Sequence, residues 1–530
     1  MANSTLLFGA AIILSIVIAV RGHGSKCEKV SSLATLEDHN TVVQTNLEML
    51  TGTWVSEGCE TRPGPEYVLR SYTFEPDGHY YLVQHHYYDD SCSSPQLSVF
   101  SYGRIQLRTS LMQPDAASTI LKVTNISVIP QDNNAAREMD RVVALECPGQ
   151  DWKSWRRYDE HLVYDAAQDN KRNFNNLWES RYGINNQYDL NRRANSHHIF
   201  GDISCLGTLK WAFNELKLLK VQLRPIMDQL KPRKYPRQMK AELLLGDIHT
   251  NYKQRENHIP TSFQVALIKQ VKEERLSINR HTYIIKSPTG MPSHLFLDSK
   301  TPPHLIEKPH LPPYIWGEWT STRCEVRPMG LYLTRRFSFY SEDSTWIGEH
   351  KFYSDPFCKI PKFIVTAAGH FVLAGANKLM KGTTDIDFHI EKASLTVLDQ
   401  RMIYDLRLPG MCGVDEWEVN VPKELSSTNG CIQLGIILPS IQYDIVKLEM
   451  DYRGSCLLYL GQVNTDNIQN TVNERPTSFQ LPLVKCGEVA SYSQSLRDIL
   501  NDGIYYGNSA GSKTYMLYLC VSTLIIYFSR

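Results

Sequence analysis

Two clusters of cysteine, carboxylate and guanidinium side chains occur with the same spacing in distant parts of this chain. The letters CETRP begin at Cys59, and the letters CEVRP begin at Cys324. A glutamate and an arginine two positions apart could clamp a polar ligand. They could instead have a structural role, in which a half-cystine anchors a strand and the charged groups form an ion pair. We favour the structural role, because both copies keep these residues although one copy would suffice to bind a ligand.

An arginine follows each cluster in a segment that alternates apolar and polar residues. Arg70 in YVLRSYTF and Arg335 in YLTRRFSF share one strand face with apolar side chains. Burying a guanidinium group costs free energy unless a carboxylate pairs with it. We therefore predict a carboxylate partner for each arginine, with Glu60 and Glu325 as the candidates. The alternative is that the strands form a β-barrel and that each arginine side chain extends to its open end, where the guanidinium group reaches water.

Motifs of catalytic chemistry are almost absent from the sequence. It contains no HExxH motif, CxxC pair, P-loop or dinucleotide-binding glycine motif. The letters GNSAG at 507–511 match G-x-S-x-G, but a nucleophile elbow needs a core strand before it and a packed helix after it. The run HHYYDD from His85 could bind a metal, yet the matching segment HKFYSDP has one histidine. We therefore predict no catalytic residue, no metal site and no cofactor.

The two clusters belong to a longer internal repeat that indicates a duplicated domain. Residues 52–74 align without a gap on residues 317–339, and later segments such as LLLGDIHT and LYLGQVNT match in the same order. A repeat unit this long is a whole domain rather than one turn of a solenoid. We place the first domain at 25–286, a proline-rich linker at 287–313 and the second domain at 314–490.

Apolar residues within each repeat recur at every second position, which is typical of strands with one buried face. The 28 tyrosines and 9 tryptophans also favour β structure over helical bundles. The segment TLKWAFNELKLL could form an amphipathic helix, but we favour a strand because the matching segment contains Pro439. The predicted fold class is mainly β, with two tandem antiparallel β-barrel-like domains and a C-terminal membrane segment.

The two ends of the chain indicate export and attachment to a membrane. Residues 1–24 contain the apolar run LLFGAAIILSIVIAV and fit a cleaved signal peptide, the alternative being an uncleaved anchor. Residues 515–528 form a second apolar run behind a spacer at 491–514, shorter than the ~20 residues of a spanning helix. This run fits a membrane segment, a lipid-anchor signal or a buried strand. We expect a plasma-membrane protein whose domains face the outside of the cell.

Twelve cysteines in an exported chain indicate disulfide bonds. Spacing alone leaves their connectivity open, but the repeats favour duplicated bonds. The candidate pairs are Cys59–Cys92, Cys324–Cys358, Cys147–Cys205 and Cys412–Cys431. Cys27 and Cys486 remain for each other or for unmatched partners, and Cys456 is predicted to stay a thiol. Asn125, in the sequence Asn-Ile-Ser, is a predicted glycosylation site.

Aromatic residues are abundant on the predicted strand faces of both repeats. Our candidates for lining an apolar pocket are Trp54, Tyr72, Phe74, Trp319, Phe337 and Phe339. Small barrels with an apolar cavity can hold one lipophilic ligand. The plainer interpretation is that these side chains fill solid cores.

The paired segments that begin GTWVSEGCETRP and GEWTSTRCEVRP, together with LLLGDIHT and PTSFQLPLVKC, resemble the adenomatosis polyposis coli down-regulated family of membrane-anchored Wnt inhibitors. The resemblance extends from about Cys27 to Cys486. It implies a cell-surface glycoprotein, often a homodimer, that binds the acylated Wnt ligand through its acyl chain in an apolar pocket. It also implies binding to co-receptors of the LRP class, and it offers no catalytic residue to transfer.

Three features depart from the family pattern. The chain has one cysteine near Cys205 where the family has two, it carries an insertion at 169–198 that is rich in Asn and Arg, and Cys456 is extra. These departures leave the disulfide pattern of the first repeat open.

The resemblance, together with the scarcity of catalytic motifs, implies a non-enzymatic, cell-surface negative regulator of Wnt signalling. The first alternative is an extracellular adhesion or scaffold glycoprotein with filled barrels, and the second is a hydrolase that removes the lipid. The 56 basic residues balance 56 acidic residues, so nothing indicates binding to nucleic acid.

Overall fold

The structure is a computed structural model that describes most of the two predicted domains. The described residues are 26–111, 113–148, 153–167, 213–226, 237–278, 281–286, 300–406, 412, 417–451, 454–463, 465 and 471–486. The predicted signal peptide, the insertion at 169–198, Cys205, the spacer and the apolar run 515–528 lie outside them. Within the described ranges, every helix is too short or too polar to cross a membrane.

The first half of the chain forms a closed ring of eight antiparallel strands. In chain order its elements are α1 (Lys26–His39), β1 (Val42–Val43), α2 (Leu47–Leu50), β2 (Gly52–Ser56), β3 (Glu60–Arg62), β4 (Glu66–Phe74), β5 (His79–Tyr87), β6 (Pro95–Thr109), β7 (Ala117–Pro130), α3 (Asn133–Glu146), β8 (His161–Asp165), β9 (Leu218–Pro225), β10 (Arg237–Leu245), β11 (Leu267–Lys269), β12 (Glu274–Ile278) and β13 (His281–Ile285). The ring runs β2-β4-β5-β6-β7-β9-β10-β11 and returns to β2. We call this ring the first barrel.

The second half forms another closed ring of eight antiparallel strands. Its elements are β14 (Gly317–Ser321), β15 (Glu325–Arg327), β16 (Leu331–Phe339), β17 (Thr345–Tyr353), β18 (Pro361–Ala376), β19 (Thr384–Val397), α4 (Gln400–Leu406), β20 (Pro422–Glu424), β21 (Gly430–Cys431), β22 (Ile436–Ile437), β23 (Ser440–Met450), β24 (Cys456–Leu460) and β25 (Leu483–Lys485). The ring runs β14-β16-β17-β18-β19-β23-β24-β25 and returns to β14. We call this ring the second barrel.

These rings confirm the prediction of a mainly β protein. Alternate residues of β4 turn inward, where Val68, Arg70, Tyr72 and Phe74 are all buried. Closing a sheet on itself removes the edges at which another chain could pair. The predicted strand over TLKWAFNELKLL is wrong at its centre, because Asn214–Lys217 forms a 3₁₀ turn before β9 begins at Leu218.

A helix packs against one wall of each barrel. That wall is formed by β6 and β7 in the first barrel and by β18 and β19 in the second. In the first barrel, Ala136, Met139 and Val143 on one face of α3 join the barrel core. Asp132 caps the start of this helix, where its side chain accepts a hydrogen bond from the amide of Ala135 at 2.7 Å. In the second barrel, α4 packs its apolar residues against β18 and β19. The helices thus add apolar surface to barrels whose strands alone do not supply the whole core.

Disulfide bonds brace both barrels at matching places. Cys59–Cys92 joins the turn before β3 to the turn after β5, and Cys324–Cys358 joins the corresponding turns of the second barrel. Cys412–Cys431 also forms, and Cys147 is disulfide-bonded. These bonds agree with the predicted pairs, although Cys205 itself is outside the described residues.

The two barrels contact each other through covalent, ionic and polar links. Cys27 on α1 forms a disulfide with Cys486, directly after β25. Arg323 donates to Glu242 at 2.6 Å, and Lys447 lies 2.7 Å from the carboxylate of Asp90. Both carboxylates and Lys447 are largely shielded from water, so each ion pair is protected from screening by salt.

The described part of the linker, residues 300–313, runs without helix or strand along the first barrel. The hydroxyl of Tyr87 donates to the carbonyl of Pro303 at 2.7 Å, and the amide of Leu305 donates to the carbonyl of Cys92 at 3.1 Å. The extended conformation follows from the prolines, which exclude a helix and a central strand.

Candidate functional site

The six aromatic residues that the sequence singles out lie inside the two barrels. Exposed fractions are 0–1% for Trp54, Tyr72 and Phe74 in the first barrel, and 1–6% for Trp319, Phe337 and Phe339 in the second. The indole N–H of each tryptophan donates to a backbone carbonyl, at 2.7 Å for Trp54 and 2.6 Å for Trp319. All six therefore belong to barrel interiors, and their contact with a ligand stays a prediction.

The predicted arginine–glutamate pairs are confirmed in both barrels. In the first, Arg70 contacts Glu60 with two nitrogens, at 3.1 Å and 2.6 Å. Ser56 donates to the same carboxylate at 2.5 Å and accepts the amide of Arg70 at 2.8 Å. In such a bidentate pair, two hydrogen bonds hold the planar guanidinium group in a fixed orientation.

A second carboxylate in the first barrel extends this pair into a network. Glu215, in the 3₁₀ turn before β9, accepts from Arg62 at 2.6 Å and from Arg70 at 3.2 Å. Its other oxygen accepts the hydroxyl of Tyr72 and, at 3.2 Å, the amide of Gln84. The side chain of Glu215 has no exposed surface. One inner part of the first barrel is therefore filled by mutually bonded polar groups.

The electrostatics of this network keep Glu215 ionised. Burial alone would raise the pKa of Glu215, but the guanidinium groups of Arg62 and Arg70 more than offset burial and hold the pKa below its ordinary value. Burial and the neighbouring carboxylate raise the pKa of Tyr72, so its hydroxyl keeps its proton and donates it in a hydrogen bond. Glu215 therefore stays ionised and Tyr72 stays protonated at neutral pH, which favours a structural role over reactivity.

The second barrel keeps the arginine–glutamate pair and changes the side chains around it. Arg335 contacts Glu325 at 2.8 Å, and Arg327 contacts the same carboxylate at 2.7 Å. The strand registers place Phe337 where the first barrel has Tyr72, and His350 where it has Gln84. Burial lowers the pKa of His350 to about 4, so its imidazole is neutral at pH 7.

A buried carboxylate, Asp444, lies beside this pair in the second barrel. One oxygen of Asp444 accepts the amides of Ile445 at 2.7 Å and Gly461 at 2.9 Å. Burial raises the pKa of Asp444 to about 7, although both amides favour the ionised form. This carboxylate therefore differs from Glu215, which two arginines contact directly.

The middle layer of the second barrel is built from smaller residues than that of the first. In the first barrel, Tyr72 lies opposite Leu82, and Leu82 lies opposite Ser101. The same registers in the second barrel join Phe337 to Gly348, and Gly348 to Ala367. The glycine leaves no free space of its own, because a Cβ atom at Gly348 would lie 2.8 Å from the ring of Phe337 and 2.9 Å from that of Trp346. These two rings occupy the place that the side chain of Leu82 takes in the first barrel.

The buried cores of the two barrels are also connected differently. In the first barrel, one continuous cluster extends from Trp54 to the α3 residue Val143. In the second barrel the core is split into two clusters, one with the aromatic residues around Phe337 and one with the α4 side chains. Ile390 packs against both clusters and is itself only half-buried, so the two clusters meet at a residue that solvent reaches.

Inward-facing residues next to the split reach solvent. Val365 packs against the α4 cluster and Ala367 against the aromatic cluster, and both are half-buried. Their counterparts in the first barrel, Val99 and Ser101, are only 1% and 2% exposed. An inward residue inside a closed ring can be half-exposed only if the interior is open to a solvent-sized probe. A solvent-sized probe therefore reaches the inward-facing Val365 and Ala367 of the second barrel.

Several residues of these interiors escaped prediction from the sequence. Glu215 was missed because it lies in a segment that we interpreted as a strand, although an acidic residue amid WAFNELKLL was a visible signal. Gly348 and Ala367 carry no chemical signal, and only the strand register shows that they face each other.

Two other predicted positions lie away from the barrel interiors. Asn125 is half-buried on β7, opposite Tyr102 on the outer face of the first barrel, and its glycosylation stays a prediction. Cys456 is a half-buried thiol on β24 rather than half of a disulfide.

Fold and disulfides together define a class, that of disulfide-braced proteins of the secretory pathway built from closed eight-stranded antiparallel barrels. The family model described as Adenomatosis polyposis coli down-regulated 1 matches residues 26–295 and 305–493. The two matched stretches cover most of the chain and include both barrels. This chain belongs to that family.

Proposed function

We propose that this protein is a cell-surface negative regulator of Wnt signalling that binds the acyl chain of Wnt inside the second barrel. The observation that carries the proposal is the split core of that barrel, where a solvent-sized probe reaches Val365 and Ala367. Membership of the family described as Adenomatosis polyposis coli down-regulated 1 supports the link to Wnt. Disulfide bonds support a secreted or cell-surface location.

The chemistry of the second barrel suits a saturated or monounsaturated chain. Phe339, Trp346, Phe371 and Phe388 pack with ring centroids 5.1–6.2 Å apart at one side of the split. Each methylene of an acyl chain gains about 0.8 kcal/mol on leaving water. The neutral His350 and the paired Arg335 lie at the polar side, where an ester group could accept a hydrogen bond.

The first barrel has a different role in this proposal. Its continuous core and its paired charged groups favour a filled barrel with a structural role. The scaffold alternative assigned such a filled interior to both barrels. We propose that both barrels derive from one duplicated sequence, so that the packing of one copy could change while the other kept the chain stable. Binding of an LRP-type co-receptor and formation of a homodimer are implied by the family resemblance and are part of the same proposal.

The decisive comparison uses two neighbouring alanines on β18 that face opposite ways. Ala367 faces the split core, whereas Ala368 lies on the other face of the strand. We expect the full chain to capture a palmitoleoylated Wnt peptide and to bind the unacylated peptide at least tenfold more weakly. Ala367→Leu should lower the affinity for the acylated peptide at least tenfold and should relieve repression of a Wnt reporter. Ala368→Leu should change neither result.

Two outcomes would overturn the proposal. One is equal binding of the acylated and unacylated peptides by the wild-type chain. The other is equal behaviour of Ala367→Leu and Ala368→Leu in both assays. If both peptides bind weakly and the reporter is unaffected, the scaffold alternative with filled barrels is favoured instead.

A further inference from the structure

A groove on the outer surface of the first barrel is separate from both barrel interiors. Its volume is about 1070 Å³, and it lies between the end of β7, the start of α3, residues 157–160 and linker residues 300–304. The linker therefore forms one wall and the barrel forms the other. The groove exists only because residues 300–304 are held against the barrel by the contacts of Tyr87 and Leu305 described above.

Two exposed tyrosines border this groove. The side chain of Tyr158 is 59% exposed and that of Tyr88 is 45% exposed. Tyr158 has a φ of 65°, a left-handed backbone conformation that bulky residues rarely adopt. Its amide donates to the carbonyl of Pro130 at 2.8 Å, and the guanidinium group of Arg157 lies 4.3 Å from its ring centroid. A strained, fixed and exposed aromatic ring is a feature of ligand clamps.

The groove carries charges of both signs, with Arg157 and Lys300 on one side of the balance and Asp132, Asp159 and Glu160 on the other. Lys300 lies 3.3 Å from Glu160, and the hydroxyl of Tyr88 donates to Asp132 at 3.1 Å. The guanidinium group of Arg157 donates to the carbonyl of Gln131 at 3.1 Å. Neither sign of charge dominates, so an anion or a cation bound here would meet like charges as well as opposite ones. The groove is therefore suited to an uncharged ligand that offers many hydroxyl groups.

We propose that this groove binds a neutral oligosaccharide. The C–H face of a pyranose ring can stack on the exposed faces of Tyr158 and Tyr88, which combine an apolar body with a polar tip. Sugar hydroxyls can both donate to Asp132 and Glu160 and accept from Lys300. A large concave site with aromatic walls and a few convergent polar groups is the usual architecture of a small-molecule site.

Such a sugar could come from this chain or from another glycoprotein. Asn125 lies on the outer face of β7, the face that also carries Ile129 in the wall of the groove. Four residues along a strand span about 13 Å. A glycan attached to Asn125 could therefore reach the groove, and its removal distinguishes the two sources.

The test is saturation-transfer NMR on the purified full chain with chitotriose and mannotriose as neutral probes and a heparin hexasaccharide as an anionic probe. We expect at least one neutral probe to bind and heparin not to compete with it. Tyr158→Gly should lower the affinity at least tenfold while leaving the protein at least as heat-stable, since glycine suits the left-handed backbone. Tyr102→Ala, which removes a 41% exposed tyrosine outside the groove, should bind as the wild type does.

The variant Asn125→Gln, which removes the attachment site of the chain's own glycan, distinguishes the two sources of the sugar. If the chain's own glycan fills the groove, this variant should bind the free probe more tightly than the wild type. If the glycan belongs to another protein, both should bind it equally. Failure of both neutral probes with the wild type and with Asn125→Gln would overturn the proposal. Equal binding by Tyr158→Gly, or displacement of the neutral probe by heparin, would do the same.

Discussion

The two barrels have the same strand order and the same cysteine, glutamate and arginine positions, yet their interiors differ. The first is filled by one continuous core and by the network around Glu215. In the second, Phe337, Gly348 and Ala367 occupy the positions of Tyr72, Leu82 and Ser101, and the core divides into two clusters. A barrel wall can therefore stay constant while a few inward side chains change how the interior is packed.

The buried carboxylates of the two barrels are also stabilised in different ways. Glu215 is stabilised by two arginines and by donors from Tyr72 and Gln84, so each group depends on the others. Asp444 is stabilised chiefly by backbone amides, which remain whatever the neighbouring side chains are. Substitutions should thus spread their effects widely in the first barrel and remain local in the second.

The largest expected difference comes from removing the buried arginines. Arg70→Met removes the bidentate partner of Glu60 and one of the two guanidinium groups that neutralise Glu215. We therefore expect a loss of about 3–5 kcal/mol in the free energy of unfolding. Arg335→Met leaves Glu325 still paired with Arg327, so the loss should be smaller. Urea titration of both variants measures the difference, and equal losses would contradict the proposed contrast between the barrels.

A smaller difference is expected from removing apolar volume. Leu82 has no exposed surface, so Leu82→Ala should cost about 2–5 kcal/mol through lost burial and a new cavity. Ile390 contacts both clusters of the second barrel but is only half-buried. Ile390→Ala should therefore cost less than half as much by the same titration. A larger cost at Ile390 than at Leu82 would argue that the second barrel is the better packed one.

The smallest effect concerns pH. Folded Asp444 holds its proton up to a pKa of about 7, whereas its ordinary value is 3.8. The folded state binds the extra proton between these values, so this group makes stability fall as pH rises from about 4 to about 7. Asp444→Asn cannot ionise, and it should gain about 2 kcal/mol relative to the wild type between pH 5 and pH 7. A constant difference between the two proteins across this range would show that Asp444 is ionised throughout.

Much of the fold was predictable from local pattern. Alternation in YVLRSYTF and its counterpart predicted strands, and the buried Arg70 and Arg335 required partners, which led to Glu60 and Glu325. The duplicated cysteine spacing predicted bonds that the structure contains, such as Cys59–Cys92 and Cys324–Cys358. These features depend on neighbours close in sequence or on a repeat that marks equivalent positions.

The contrast between the interiors was not predictable in the same way. Glu215 lies 145 residues from Arg70 along the chain, and only the closed ring brings them together. Likewise, the space beside Ala367 depends on which residues face it from β17 and β19, which is set by register. The six aromatic candidates lie inside the barrels, but residue type alone could not distinguish a filled interior from an open one.

The central claim is that the second barrel, and not the first, holds an acyl chain. Crystals of the full chain grown with a fatty acid brominated at its terminal carbon would test this by the anomalous signal of bromine. The account predicts one strong peak inside the second barrel, between the aromatic cluster around Phe337 and the half-buried Ala367. A peak inside the first barrel, or fatty acid bound only outside both barrels, would contradict it.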